Sequence, residues 1–169
     1  MKIPQEKWHQ SQRGYFAGSL YNAMVDDQDI WLVTGDLGYA VFDKIKEDFS
    51  QRFLNVGASE QAGMGICVGL ALEGKKPFFY SITNFLLQRP YETIKLYLDG
   101  EGVPVRLVGS GRDTDYAHDG PSHDATFAKQ LLATLPNIAS YFPEEKEEVI
   151  STVDLMLKTN KASFISLRR

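Results

Sequence analysis

The chain has 169 residues, a formal net charge of −4, and 43% apolar and 12% aromatic residues. That length suits one domain with a full hydrophobic core, and the acidic balance gives no global support for nucleic-acid binding. The single cysteine, Cys67, excludes an internal disulfide framework and fits a reducing cytoplasm; no stretch reads as a signal peptide or a membrane span.

Residues 1–11 are polar and read as an N-terminal arm. Residues 11–25 (SQRGYFAGSLYNAMV) place apolar side chains at roughly helical spacing. Asp26, Asp27 and Asp29 mark a turn, and residues 30–34 (IWLVT) are a continuous apolar run of the kind found in strands covered on both faces. Residues 35–38 (GDLG) make a tight loop before an amphipathic helix over 39–49. A short strand is expected at 52–55 and a helix at 60–73, stopped by Gly74 and two lysines. Residues 77–81 (PFFYS) form the third strand. Residues 84–98 read as a helix in which Pro90 must lie in the first turns or make a kink. After a turn at 99–102 comes a fourth strand at 103–108. Residues 109–124 form a long polar loop, and such loops inside a compact domain are usually functional. A helix at 125–135 and a short strand at 137–142 follow. Pro143 and two glutamates open the last long helix, where the helix dipole favours them. Residues 162–167 (ASFISL) close the chain as a strand.

Six strands alternating with helices predict an α/β fold: one domain over 1–169, with a parallel sheet and helices on both faces. Ligands of such sheets bind beyond the carboxyl ends of the strands. Asp36, Glu60, the segment after Tyr80 and the 109–124 loop all fall at such ends.

Glu60 stands where a buried strand hands over to a buried helix, and a carboxylate there is costly unless something pairs with it or uses it. On position alone it also serves as a helix-start acid, with Ser59 as the cap. The helix behind it carries Gly63, Gly65 and Gly69. Each glycine costs about 1 kcal/mol relative to alanine in a helix interior, and three of them point to close approach by another backbone. The GDLG loop lacks the spacing of a dinucleotide fingerprint or a Walker loop, so an ordinary strand-to-helix turn explains it. Phe78, Phe79 and Tyr80 serve the core, whereas Phe85 lies past the strand end, where a ring could stack on a flat heterocycle. The densest polar stretch is 116–124 (YAHDGPSHD), with two of the three histidines. It reads as a solvated loop whose shape Gly120 and Pro121 fix, or as acid/base and hydroxyl contacts to a polyol-like substrate. A metal site from His118, His123 and the flanking aspartates is a third reading, although the spacing matches no common zinc pattern.

Residues 52–64 (RFLNVGASEQAGM), 69–77 (GLALEGKKP) and 119–123 (DGPSH), in this order, resemble the pyrimidine-binding domain of transketolase-type thiamine diphosphate enzymes, which include transketolases and deoxyxylulose-phosphate synthases. The resemblance runs from about Trp31 to Leu167 and implies a parallel α/β sheet. It implies that Glu60 is the glutamate that hydrogen-bonds the aminopyrimidine ring of the cofactor. Protonating the ring nitrogen there favours the imino tautomer, which takes the proton from the thiazolium carbon. A carboxyl group enclosed by apolar residues suits that proton sharing. Phe85, with Leu86 as the alternative, matches the ring that stacks on the pyrimidine, and Ile82 lies near another contact position. Arg89 is carried over from the synthase pattern across one inserted residue. Asp36 matches an aspartate near the cofactor. Asp119 and His123 match residues that face the sugar substrate, with His118 beside them and His123 also placed in catalysis.

Two departures from the family matter. Where transketolases carry a further substrate histidine, this sequence has Gly111 with Arg112 beside it, so Arg112 is expected to bind an anionic group of a different substrate. The sequence also has no Gly-Asp-Gly followed downstream by Asn-Asn, the family pattern that holds magnesium and the diphosphate. The expectation is therefore one half of a split transferase. A separate diphosphate-binding subunit would hold Mg2+ in an α2β2 heterotetramer that carries out two-carbon ketol transfer in cytoplasmic carbohydrate metabolism. No metal site of its own and no nucleic-acid or membrane partner is expected, and self-association through the aromatic and glycine-rich surface is. The rival readings are a subunit of a 2-oxo acid decarboxylase, a non-catalytic member of the fold, and a metal enzyme using His118 and His123.

Overall fold

The aromatic run PFFYS lies at the centre of a sheet. In the computed structural model, which describes residues 1–169, it belongs to β3 (Lys76–Ile82), flanked by β1 (Ile30–Thr34) and β4 (Arg106–Ser110). The strands β2 (Phe53–Asn55), β5 (Ala139–Tyr141) and β6 (Ser163–Leu167) complete one six-stranded sheet in the order β2-β1-β3-β4-β6-β5, with every pairing parallel. Successive side chains of a strand point to opposite faces. Phe78 and Tyr80 thus enter one core with α1 (Gln12–Asp26), α2 (Asp43–Asp48) and α7 (Glu148–Lys158). Phe79 enters the other, with α3 (Glu60–Leu72), α4 (Thr83–Gln88), the short α5 (Tyr91–Thr93) with the π-helical turn Ile94–Gly100 that continues it, and α6 (Ala128–Leu132). The α/β fold with a parallel sheet covered on both faces is as expected.

The boundaries differ from the sequence reading where side chains intervene. The helix expected over 39–49 begins only at Asp43, because Ala40 takes a φ of 63° just ahead of it. The helix expected over 84–98 stops at Gln88, where Pro90 removes a donor, and resumes as α5 and the wider turn. The last helix begins at Glu148 rather than at Pro143: the Glu148 carboxylate reaches back and accepts from the backbone N–H groups of Glu144 and Glu145 at 2.8 and 3.4 Å.

The N-terminal arm is docked on α1. The Trp8 indole sits where a Cβ on Gly18 would come within 2.3 Å of the ring, packs edge-on to Tyr15 at 5.6 Å, and donates to the Ile3 carbonyl at 3.1 Å. The glycines of α3 serve two different ends. A Cβ on Gly63 would meet the Phe79 ring at 2.7 Å, so this glycine admits a core side chain rather than a backbone, whereas Gly65 and Gly69 face open space. Ile66 and Leu72 on α3, with Leu96 and Tyr97 on the π-helical turn, are exposed apolar residues.

Candidate active site at the carboxyl edge of the sheet

Glu60 is the first residue of α3 and is only 3% exposed. Ser59 makes no capping bond with its side chain. The Glu60 carboxylate turns inward instead. Ser81, near the end of β3, donates to its Oε1 at 3.1 Å, and Arg89 Nη1 donates to its Oε2 at 2.5 Å. Gly35, the first residue beyond β1, leaves one flank of this group bare: a Cβ there would lie 3.1 Å from Ser81 Oγ and 3.3 Å from Glu60 Oε1. The purely apolar enclosure expected for Glu60 is thus replaced by a serine and an arginine. A buried carboxylate requires such partners, because its desolvation is otherwise uncompensated.

Phe85 sits on α4 with its ring half-buried. The Arg89 guanidinium lies 3.8 Å from its centroid, and the His123 ring meets it edge-on at 4.9 Å and 71°. Leu86 is fully buried in the core, so Phe85 rather than Leu86 presents a ring at this edge. Ile82, half-buried, directly precedes α4. His123 closes the tight turn Pro121–His123, with Nδ1 3.0 Å from Ser122 Oγ. The polar loop is tied to the start of α4: Asn84 Nδ2 donates to the Asp124 carbonyl at 2.6 Å, and Thr83 Oγ1 to the Gly111 carbonyl at 2.6 Å. The same helix start therefore positions both Phe85 and the segment that carries His123. Glu60, Arg89, Phe85 and His123 form one continuous row.

Asp36 is exposed beyond β1, next to Gly35, and accepts from the Tyr39 hydroxyl at 2.8 Å. His118 and Asp119 are exposed on the turn Ala117–Asp119; they pair with each other at 3.4 Å, and His118 Nε2 lies 3.3 Å from Arg169 Nη1. They stand outside the row. No group of three or more His, Cys, Asp or Glu side chains is gathered closely enough to hold a metal ion.

Arg112 departs from its expected role. It is 3% exposed, and its Nη2 donates to the carbonyls of Pro143 at 2.8 Å and Ser166 at 2.5 Å, while Nε and Nη1 reach Ser166 Oγ and Glu144. Burial lowers its pKa, offset in part by the Glu144 carboxylate. These protein acceptors occupy the donors that an anionic substrate would need, so Arg112 ties β6 to the segment ahead of α7. Sequence reasoning placed the segment after Tyr80 at the strand end where ligands bind without singling out Ser81, Thr83 or Asn84, and read Gly35 only as part of a turn.

The family model described as "Transketolase, pyrimidine binding domain" matches residues 10–169. The chain belongs to this family. Among curated relatives, a probable 1-deoxy-D-xylulose-5-phosphate synthase from Capsicum annuum is 31% identical over 145 residues, covering 85% of this chain and 20% of the relative. A 33.6 kDa protein of the fasciation locus of Rhodococcoides fascians is 29% identical over 144 residues, covering 85% of this chain and 45% of the relative. The pyrimidine-binding domain thus spans less than half the length of these relatives. Solved structures with the same fold include a split-gene transketolase described as an inactive beta4 tetramer (TM-score 0.82, 23% identity, 94% of this chain and 52% of that one). Another is a transketolase from Leishmania mexicana (TM-score 0.85, 18% identity, 99% and 26%).

Enzymes of this family depend on thiamine diphosphate, and the row fits the aminopyrimidine end of that cofactor. The buried Glu60 carboxylate lies against the bare backbone of Gly35, and the half-buried Phe85 ring follows it across Arg89.

Proposed function

We propose that this chain is the pyrimidine-binding subunit of a two-subunit, transketolase-like transferase that uses thiamine diphosphate to move a two-carbon ketol unit between sugar-like substrates. The buried Glu60, held by Ser81 and packed against the bare backbone of Gly35, carries this reading. The cofactor supplies the carbon nucleophile when bound. Glu60 accepts and returns a proton at its carboxylate, as a general acid and base must. Ser81 fixes the plane of that carboxylate through Oε1. Phe85 offers a face for a flat ring. His123, whose Nδ1 is engaged by Ser122, keeps Nε2 for a substrate hydroxyl. Asp119 and His118, further out, contact the substrate's distal groups.

A companion subunit supplies the diphosphate and Mg2+ contacts, in an α2β2 assembly working in the cytoplasm. The exposed face of α3, with Gly65, Ile66, Gly69 and Leu72, and the neighbouring Leu96 and Tyr97 suit its docking. The split-gene neighbour supports a separate chain in this role. The test is a tagged pull-down from the native cell, with mass spectrometry of the captured chains and a thiamine diphosphate assay of the eluate. A companion with the diphosphate motif and about one cofactor per pair supports the reading. A chain recovered alone and free of cofactor overturns it. Carbon dioxide release from 2-oxo acids by the recovered complex, without ketol transfer, would replace the transferase assignment by a decarboxylase.

A further inference from the structure

A guanidinium group and the edge of an aminopyrimidine are chemically alike. Both are planar and delocalised, both stack on aromatic faces, and the ring nitrogen, once protonated, presents an in-plane N–H to a carboxylate as a guanidinium does. Arg89 uses both properties at once. Its Nη1 donates to Glu60 Oε2 at 2.5 Å, and its Cζ lies 3.8 Å from the Phe85 centroid. At that separation nothing else can share the covered face of the ring. The Arg89 side chain makes no other hydrogen bond, is 43% exposed, and leaves the chain at the break before Pro90 rather than from inside a helix. The two partners are therefore unequal. Glu60, 3% exposed, needs a donor at all times, whereas a half-exposed arginine loses little by turning to water.

We infer that Arg89 is a place-holder for the aminopyrimidine ring: in the isolated chain its guanidinium covers Phe85 and satisfies Glu60, and it swings to solvent when the ring enters. The inference rests on the pyrimidine-binding reading above. It makes Arg89 a positioning residue for Glu60 and a competitor of the cofactor, in place of the cofactor contact that the sequence resemblance implied. The apparent affinity of the isolated chain for the ring is then lowered in proportion to the fraction of molecules with Arg89 swung out. A chain without its partner stays closed to the cofactor, and its buried carboxylate stays paired.

The test titrates the isolated chain with 4-amino-5-hydroxymethyl-2-methylpyrimidine by calorimetry, comparing wild type, Arg89→Ala and Arg89→Gln. The expected result is binding about tenfold tighter in Arg89→Ala, as for a competent fraction of about one in ten in the wild type. Arg89→Gln, which removes the cation but keeps bulk, gives an intermediate value and stands in if the alanine variant does not fold. Methylguanidinium added to Arg89→Ala should compete with the ring and restore wild-type affinity, an effect that a purely structural arginine would not produce. Equal or weaker binding in both variants overturns the inference, because Arg89 would then hold the ring or be irrelevant to it. Absence of binding to all three chains overturns it as well. That result leaves the pyrimidine-binding reading to be judged separately, by the cofactor content of the assembled complex.

Discussion

The ring of Tyr116 lies over the bare backbone of Gly111: a Cβ at position 111 would stand 2.2 Å from Tyr116 Cδ2. Gly111 holds a φ of 82°, in the left-handed region that glycine tolerates. From this seat the Tyr116 hydroxyl accepts from Arg13 Nη1 at 3.3 Å and lies 3.2 Å from Ser110 Oγ. The Arg169 guanidinium lies 5.3 Å from its ring. Where the resemblance noted only a missing histidine, a tyrosine five residues on fills the volume.

Gly111→Ala should therefore be destabilising twice over, by about 1–2 kcal/mol for the left-handed backbone and by about 1–3 kcal/mol for the displaced ring. Urea unfolding measures the sum. Adding Tyr116→Ala should relieve the second part and leave the first, so the two changes couple in a double-mutant cycle. Simple additivity would show that the ring does not depend on that glycine.

On the proposed function, Glu60→Gln retains shape and removes the group that moves the proton. The assembled complex should lose about 10²- to 10⁴-fold in kcat, the range of general acid–base catalysis. The melting temperature of the isolated chain should change little, because Arg89 can turn to solvent. Steady-state kinetics with cofactor in excess decides the matter; a kcat within a few-fold of wild type would make Glu60 a structural residue.

Arg112→Ala is expected to act on stability. It strips the donor from the buried carbonyl of Ser166, at about 1–3 kcal/mol for the acceptor left unpaired, whereas the Pro143 carbonyl keeps Gln12 Nε2 at 2.9 Å. The Michaelis constant of the complex should stay at its wild-type value. A raised constant with unchanged stability would return Arg112 to the substrate.

Tyr80 carries a pH signature. Burial pushes its phenol up to about 12, and the nearby Ser110 and Arg13 offset this only in part; its hydroxyl has no hydrogen-bond partner. With the folded value raised, the contribution of the neutral phenol is complete below the unfolded value of about 10 and is lost as pH rises towards 12. Tyr80→Phe should leave stability at pH 7 unchanged or slightly higher, since no bond is broken, and should flatten the decline between these two values. Thermal melts of both chains across the alkaline range check the slope, and identical slopes would refute it.

Gly65→Ala and Gly69→Ala add methyls that meet nothing in this chain. Each should stabilise the isolated chain by up to about 1 kcal/mol through helix propensity. If α3 meets the companion closely, the same methyls weaken the complex. Calorimetric melts and the pull-down yield read the two effects separately, and a gain in both would move the interface elsewhere.

The layer order was legible because its signals are local: the IWLVT and PFFYS runs, the glycine stop after α3, and the polar stretch after β4. What sequence spacing did not show is which donor meets which acceptor. Arg112 looked like a free cation because its acceptors, Pro143 and Ser166, lie 31 and 54 residues away. The pairing of Glu60 with Arg89 spans 29 residues and depends on the helix break at Pro90. The resemblance named Glu60, Phe85 and His123 without the contacts between them, since a motif carries residue identity but not side-chain direction.

The docking of Trp8 into the notch at Gly18 gives the chain a built-in optical reporter. Of its two tryptophans, Trp31 is fixed in β1, whereas Trp8 belongs to a segment held by the Gly18 notch and by the two hydrogen bonds between Asn22 and Ile3. Lifting of the arm would expose Trp8 to water while the sheet stays intact. The emission of a Trp31→Phe chain would then follow the amino-terminal segment alone, as a red shift that precedes loss of the helical circular dichroism.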